Sequence, residues 1–184
     1  GPSWISAAAP HGGVTVLAAL VQSGKVRAPL FGNHLAQVES TWGRTFDEPW
    51  WYRTKFELPP QRAGSADHAV LQLNGLNYCA NVWLNGRLLA DNASIVGAYR
   101  MFTLAPPRGA LLWGGATNVL AVQVFRQHDT LYPQTLPNAD LGISFLDWAP
   151  HPPDGNLGLW RAAMVEVSGA IRLAAPQLTT RLIE

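Results

Sequence analysis

One stretch near the middle of the chain reads Ala80-Asn81-Val82-Trp83-Leu84-Asn85-Gly86-Arg87-Leu88-Leu89. Asparagine followed by glycine tolerates the positive φ values that both central residues of a type I′ turn require. Apolar side chains alternate with others before this pair, which is the period of a β-strand. The stretch therefore predicts a β-hairpin that turns at Asn85-Gly86.

The remaining sequence also favours an all-β fold. Helical spacing of apolar residues is scarce, and 17 Gly and 14 Pro interrupt the chain. Short apolar segments bounded by turn residues predict strands at 51–58, 69–73, 80–84, 119–125 and 163–167. Because the strand 119–125 is expected to be buried on both faces, we predict a two-layer β-sandwich. Its long loops are predicted at 31–49, 91–117 and 126–160.

Composition and charge exclude several classes of function. A chain of 184 residues with 48% hydrophobic and 14% charged residues fits a single globular domain. The net charge is +1 and the basic residues are scattered, which argues against a nucleic-acid or membrane partner. The single Cys79 excludes an internal disulfide and a cysteine-built zinc site. The single cysteine does not distinguish a reducing compartment from an oxidising one. Independently of it, a periplasmic or secreted location is favoured over a cytoplasmic one.

Few motifs for catalysis are present. There is no Gly-x-Ser-x-Gly elbow, no thiol-nucleophile signature around Cys79, no metal-ligand spacing among the five histidines and no phosphate-binding glycine loop. We therefore predict no metal site and no cofactor. Among the acidic residues Asp147 stands out, since a carboxylate beside Trp148 could hold sugar hydroxyls while the indole covers a C–H face. Turn capping by Asp147 and loop anchoring by Trp148 remain alternatives.

Eight tryptophans are many for this length. We expect Trp83 and Trp160 to pack against the core or a sheet. Trp50 and Trp51 are adjacent at the start of a strand, so their side chains must point to opposite faces. One of the two is therefore expected near a loop end.

Further motifs occur in an order typical of one enzyme family: Pro49-Trp50-Trp51-Tyr52-Arg53-Thr54, Gly75-Leu76, the hairpin stretch, Gly97-Ala98-Tyr99, Asn118-Val119-Leu120, Asp147-Trp148-Ala149-Pro150, and residues 152–161. By these motifs the chain resembles the N-terminal sugar-binding domain of family-2 glycoside hydrolases over nearly its whole length. The Trp-Trp-Tyr-Arg-Thr and Pro-Pro-Asp-x-Asn-x-Gly strings are most similar to those of exo-β-D-glucosaminidases, with β-mannosidases and endo-β-mannosidases as further relatives.

This resemblance implies a jelly-roll, galactose-binding-domain-like β-sandwich over residues 4–175. Residues 1–3 are interpreted as a tag remnant, and 176–184 as the start of a linker to an immunoglobulin-like domain. A TIM barrel beyond it would carry both catalytic glutamates of a retaining β-glycosidase, so no catalytic residue is expected in these 184 residues. The expected partners are a β-linked oligosaccharide or polysaccharide and the two later domains.

The resemblance also implies roles for individual residues. Asp147 would bind sugar hydroxyls or an amine, or orient a residue of the barrel, while Trp148 would shape the pocket by apolar contact. Trp51 and Glu48 would lie near the same substrate-binding site on a second loop. Two other functions stay open: an autonomous carbohydrate-binding module that stacks sugars on tryptophans, and a domain that only buttresses the barrel.

Overall fold

The computed structural model describes residues 4–9, 12–61, 68–127, 152–174 and 176–182. The helices and strands of these ranges are β1 (Val14–Thr15), α1 (Val16–Gln22), α2 (His34–Trp42), a 3-10 helix (Gly43–Asp47), β2 (Trp50–Glu57), β3 (His68–Leu73), β4 (Cys79–Leu84), β5 (Arg87–Ala90), β6 (Phe102–Leu104), β7 (Thr117–Phe125), β8 (Gly158–Leu159) and β9 (Ala163–Ser168). None of the helices in these ranges has the length and apolar character needed to cross a bilayer.

The strands form the predicted β-sandwich. One sheet has the order β2-β7-β4-β5 and the other has the order β6-β3-β9, while β1 and β8 form a small separate ribbon. The described pairs are antiparallel. Alternate residues of β3 and β4 are buried between the layers, among them Leu71, Leu73 and Val82. Each of the predicted strands is present, with its ends shifted by two residues or fewer.

Strand β7 lies at the centre of the four-stranded sheet, between β2 and β4. Its inward side chains Leu120, Val122 and Val124 are at most 5% exposed. The prediction that both faces are buried was wrong, because Val119 and Ala121 on the outer face are only half-buried. A central strand needs hydrogen-bonding neighbours on both edges, but it needs a covering layer on only one face.

The hairpin turn is as predicted. Asn85 has a φ of 50° and Gly86 a φ of 81°, as a type I′ turn requires. The Asn85 side chain also ties the turn to the start of β7. Its Oδ1 accepts the Val119 N–H at 2.7 Å, and its Nδ2 donates to the Ala110 carbonyl at 2.9 Å and to Asn118 Oδ1 at 2.8 Å.

Replacing Asn85 by alanine should therefore lower the free energy of unfolding by about 2.5 kcal/mol, from three largely exposed hydrogen bonds at about 0.5 kcal/mol each and a positive φ at about 1 kcal/mol. Asn85→Gly keeps the backbone freedom and isolates the hydrogen-bond part of the loss. The exposed Asn92 is the control, since Asn92→Ala should change stability by no more than about 0.5 kcal/mol. Urea unfolding measures all three, and an Asn85→Ala loss equal to that of Asn92→Ala would contradict the prediction.

The segment 31–49 is not a plain loop, and this corrects the sequence prediction. It contains α2 and the 3-10 helix, which bury Val38 and Phe46 against the sandwich and pack Trp42 beside them. Only Val38 of α2 is fully buried, and the helix lacks a side-chain N-cap hydrogen bond. Such a short helix gains its stability from tertiary packing, which leaves a weak local signal. Two short strands, β6 and β8, also lie in segments predicted as loops.

Candidate functional site

One end of the four-stranded sheet collects the segments that the sequence singled out. In the register, Trp50 pairs with Val124 and Cys79 pairs with Phe125, so β2 and β4 begin where β7 finishes. The chain leaves this end after β7, and residues 152–158 return to it, where Gly158 bridges Asn77. We call this end of the sandwich, defined by Trp50, Cys79 and Phe125, the loop end.

Two of the four sequence-predicted site residues can be placed at the loop end. Glu48 is exposed and lies two residues before β2, where its N–H donates to the Thr45 carbonyl at 3.3 Å. Trp51 is the second residue of β2 and is 45% exposed. The other two, Asp147 and Trp148, lie outside the described residues.

The adjacent tryptophans face opposite sides of β2, as predicted. Trp50 packs against the core, with its ring centroid 6.2 Å from that of Phe46, and its Nε1 donates to the Thr45 carbonyl at 3.0 Å. Trp51 lies on the outer face and stacks on Trp83 of β4, with centroids 4.9 Å apart and planes at 29°. The two strands are not neighbours, so the rings meet over β7.

Small and amide side chains of β7 shape this outer surface. Ala121 pairs with Trp83 in the register and leaves room above β7 for the rings. Gln123 lies opposite Trp51 and opposite Asn81, whose Nδ2 donates to Gln123 Oε1 at 3.0 Å. An indole beside an amide is a combination that can stack on a sugar ring and bond to its hydroxyls.

Residues 152–158, which we call the returning segment, are held in place by a buried carboxylate. Asp154 is 1% exposed, and its Oδ2 accepts the Leu17 N–H of α1 at 2.9 Å, while Oδ1 accepts the Asn156 N–H at 3.0 Å. Burial raises the pKa of Asp154, although both backbone N–H groups and the nearby Arg126 charge oppose that rise. Asp154 is not among the site residues predicted from the sequence.

The neighbouring N–H groups of α1 are also satisfied. The Val16 N–H donates to the Leu157 carbonyl at 2.8 Å, and the Ala18 N–H donates to Thr15 Oγ1 at 3.4 Å. The first turn of a helix leaves N–H groups without intrahelical partners. The returning segment supplies two of these missing acceptors, so α1 and residues 154–157 stabilise each other.

Asn77 joins the same segment to the start of β4. It is 2% exposed, and its Nδ2 donates to the carbonyls of Gly155 at 2.8 Å and Asn156 at 3.2 Å. Its backbone exchanges two 2.8 Å hydrogen bonds with Gly158. The buried Asn77 Oδ1 has no hydrogen-bond partner among the described residues. These contacts fix where the chain re-enters the fold.

An ion pair holds the chain where it leaves the sandwich after β7. Arg126, directly after β7, donates from Nη1 to Asp47 Oδ1 at 2.9 Å. A side chain at Gly155 would come within 3.2 Å of Arg126 Nε, so the departing and returning chain segments lie side by side. Asp154, Asn77 and Arg126 are thus positioning residues of the loop end. Of these three, only Asp154 lies in a recognisable sequence motif, the Pro-Pro-Asp-Gly-Asn string, which marks a turn.

A recess of about 350 Å³ is lined mainly by the amino-terminal segment, α1, β2 and β7, and it reaches Trp50 at the loop end. Its lining includes Ile5, Tyr52, Leu120 and Val122. The Tyr52 hydroxyl already donates to the Val14 carbonyl at 2.9 Å, and burial raises the pKa of this phenol. Arg53 and Thr54 are further polar residues of its lining.

The described residues also bear on whether a metal site or a reactive thiol is present. No group of three or more His, Cys, Asp or Glu side chains within those ranges is placed to hold a metal ion. Cys79 is a half-buried free thiol whose pKa is raised by burial. Trp160 is half-buried and packs on a loop, with its Nε1 donating to the Ala98 carbonyl at 3.0 Å and its ring edge-to-face with Tyr99.

Comparison with known proteins defines the class. A family model described as the galactose-binding-like domain of glycosyl hydrolase 2 matches residues 1–103, more than half of the chain. The chain therefore belongs to the galactose-binding-like domain family of glycosyl hydrolase 2, which confirms the family resemblance and the sandwich fold.

Individual relatives are more specific. The exo-β-D-glucosaminidase of Amycolatopsis orientalis is 32% identical over 168 residues, which are 91% of this chain and 14% of the relative. That of Streptomyces avermitilis is also 32% identical over 168 residues, which are 91% of this chain and 17% of the relative. The chain thus spans less than a fifth of the length of these curated relatives.

Solved structures agree with this assignment. The crystal structure of the Amycolatopsis orientalis exo-chitosanase is similar with a TM-score of 0.67 and 32% identity, over 85% of this chain and 16% of that chain. A β-D-mannosidase from Dictyoglomus thermophilum is 20% identical with a TM-score of 0.61, over 85% of this chain and 19% of that chain. The latter shares the fold.

Proposed function

We propose that the chain is the non-catalytic, sugar-binding N-terminal domain of a retaining β-glycosidase of the exo-β-D-glucosaminidase type. The observation that carries this proposal is the 32% identity to curated enzymes of that name over 91% of the chain. Because the match spans only 14% of that relative, the catalytic carboxylates are assigned to a part of the longer protein outside these residues. An immunoglobulin-like domain and a barrel are the expected partners in the same polypeptide.

We assign the substrate contact to the loop end. Asp147 and Trp148 belong to the segment that leaves after β7 and returns at residue 152, and both of its junctions are at this end. Glu48 and Trp51 lie at the same end of β2. In this proposal Asp147 binds hydroxyls or the amine of the non-reducing sugar, Trp148 covers an apolar face, and Glu48 and Trp51 border the subsite. The proposed substrate is a β-linked glucosamine oligomer.

The test uses the longer protein that contains this domain, with chitosan oligomers as substrate. Asp147→Ala should lower kcat/KM at least tenfold, equivalent to about 1.4 kcal/mol of transition-state stabilisation. Glu48→Ala, two residues before β2 at the loop end, should lower kcat/KM by a smaller factor. Glu57→Ala is the matched carboxylate control and should leave kcat/KM unchanged, because Glu57 lies at the other end of β2, about 25 Å away.

A loss of less than tenfold for Asp147→Ala would instead favour a domain that only buttresses the barrel. Equal effects of Glu48→Ala and Glu57→Ala would remove Glu48 from the proposed site. If the longer protein hydrolyses β-mannosides and not glucosaminides, the proposed role of the domain stands and the proposed substrate is wrong.

The Trp51 and Trp83 stack favours a second candidate, an autonomous carbohydrate-binding module that uses the outer sheet face. Trp51 keeps 45% of its surface exposed beside the Gln123 amide, so a sugar ring could stack there. Titration calorimetry of the 184-residue chain with chitosan oligomers distinguishes the two. Millimolar or tighter binding that is lost in Trp51→Ala supports the module, whereas an absence of heat supports a subsite that is complete only in the longer protein.

A further inference from the structure

Asparagine is followed by glycine at two places in the chain, Asn74-Gly75 and Asn85-Gly86. In such a pair the glycine nitrogen can attack the side-chain carbonyl carbon of the asparagine, because glycine has no side chain to obstruct the approach. A bond forms between that nitrogen and Cγ, the Cγ–Nδ2 bond breaks, and ammonia leaves with the proton of the glycine amide. Water then opens the cyclic imide at either carbonyl, which gives aspartate or isoaspartate. Both pairs are therefore chemical candidates for deamidation.

The two pairs differ in the room that they leave for this reaction. Gly75 is buried beneath the Trp160 ring, where an added methyl group would lie 2.8 Å from Cε2, and its carbonyl accepts the Arg161 N–H at 3.2 Å. Asn85 and Gly86 are both exposed. A methyl group added at Gly86 would meet no atom of the described residues within 4 Å beyond its chain neighbours. Asn85-Gly86 is therefore the pair with access to water and room to rearrange.

In the closed hairpin the Asn85 amide is nevertheless held away from reaction. Three hydrogen bonds, two from Nδ2 and one to Oδ1, hold it against β7 and the loop before it. Asn118, which supplies one of the acceptors, is itself fully buried, and its amide exchanges hydrogen bonds with the Leu112 backbone at 2.8 and 2.9 Å. Turning Cγ toward the Gly86 nitrogen would break the contacts of the Asn85 amide. The reaction therefore requires the turn to open, as exposed parts of a fold do locally.

Neither product of the reaction fits the closed turn. Aspartate at position 85 would place a carboxylate oxygen where Nδ2 now donates, opposite two acceptors, the Ala110 carbonyl and Asn118 Oδ1. An acceptor that faces other acceptors gains no hydrogen bond and leaves its former partners unsatisfied. Isoaspartate adds a methylene group to the main chain of a two-residue turn, whose type I′ geometry sets the register of both strands. The modified chain therefore cannot restore the hairpin as it was.

We propose that Asn85 is a deamidation site that reacts only when the hairpin opens, and that the reaction then keeps the hairpin open. The strands concerned are β4 and β5, in which Trp83 lies opposite Leu88. Since β5 is at the edge of its sheet, its place there depends on β4. Deamidation would thus detach β5 and loosen Trp83, whose ring stacks on Trp51 at the outer face. Local opening becomes irreversible at this turn, whatever sugar the domain binds.

Peptide mapping by mass spectrometry of the 184-residue chain, kept in mildly alkaline buffer, measures the conversion of each asparagine. In the native chain Asn85 should convert at least about tenfold faster than Asn74, and at least about tenfold more slowly than it does in urea. In urea the two asparagines should convert at similar rates, since glycine follows both.

Two glycine substitutions test whether opening of the hairpin limits the rate. Leu88→Gly weakens β5 at a position that is 49% exposed, and it should speed the conversion of Asn85 about threefold. Met164→Gly, at a position of β9 that is 46% exposed, is the matched control and should leave the rate at Asn85 unchanged. Equal rates at Asn85 in these two variants would overturn the proposed dependence on the hairpin.

The Asn85 product can be separated from the unmodified chain by ion exchange. Its β5 amides should exchange hydrogen with solvent at least about tenfold faster than those of the unmodified chain. Conversion of Asn85 at one rate in native and urea-unfolded chain would overturn the requirement for opening. Conversion of Asn74 as fast as that of Asn85 in the native chain, or unchanged exchange of β5 in the product, would also overturn the proposal. None of these readouts uses glycoside hydrolysis, so their outcome is independent of the proposed function.

Discussion

Gly158→Ala is expected to destabilise the domain by about 4 kcal/mol, the largest effect of any single substitution considered for this fold. Gly158 has a φ of +128°, which side-chain-bearing residues rarely adopt. An added methyl group would overlap the Tyr52 hydroxyl and come within 3.1 Å of Thr15 Cα. The Tyr52 ring cannot move aside freely, because its hydroxyl donates to the Val14 carbonyl.

Two further variants separate strain from overlap. Gly109 has a φ of +79° with no atom within 4 Å of an added methyl group, so Gly109→Ala should cost only the backbone strain, about 1 kcal/mol. In a Tyr52→Phe background, Gly158→Ala should cost at least about 1 kcal/mol less than in the wild type. Urea unfolding of the wild type, the three single variants and the double variant gives these values. A cost for Gly158→Ala no greater than that for Gly109→Ala would mean that the packing around β8 is not as described.

Asp154→Ala is expected to cost about 3 kcal/mol. The substitution leaves the buried N–H group of Leu17 without an acceptor, at about 1 to 3 kcal/mol, removes a part-buried hydrogen bond to the Asn156 N–H, and removes a cap of α1. Asp91 provides a matched control, since its Oδ1 also accepts two hydrogen bonds, both from Ser94, on an exposed loop. Asp91→Ala should be much less destabilising than Asp154→Ala.

The Asp154→Ala loss should also depend on pH in a defined direction. Because the pKa of Asp154 is raised in the folded protein, the native state binds more protons than the unfolded state between its ordinary value of 3.8 and the raised value. The contribution of this group is therefore fully present below pH 3.8 and is lost as the pH rises through the folded pKa. The stability difference between wild type and Asp154→Ala should be larger at pH 4 than at pH 7. A difference that grows with pH would contradict the raised pKa.

The sequence predicted the parts of the fold that local chemistry controls. The hairpin follows from Asn85-Gly86 alone, and the strands around it follow from the two-residue period and the turn residues beside them. The opposite directions of Trp50 and Trp51 follow from the same period. Helix α2 was not predictable in this way, because its stability comes from Val38 and from the packing of Trp42 and Phe46 onto strands elsewhere in the chain.

In the candidate site, too, local motifs predicted some residues, whereas contacts between distant parts of the chain could not be predicted. Glu48 and Trp51 could be assigned to one end of a strand from motifs, but the stack of Trp51 on Trp83 joins strands that are not neighbours and depends on the small Ala121 between them. The positioning residues were missed because Asp154 meets α1 only after the chain has folded. A turn motif such as Pro-Pro-Asp-Gly-Asn does not disclose which distant N–H group its carboxylate will bind.

The large sequence separation between Asp154 and Leu17 has a consequence for biosynthesis. The Leu17 N–H and the carboxylate that accepts it are 137 positions apart. During translation at about 5 to 20 residues per second, the start of the chain must wait several seconds or longer before that carboxylate emerges from the ribosome. The nascent amino-terminal part cannot reach its final form before then, and it is a natural client for chaperones in that interval.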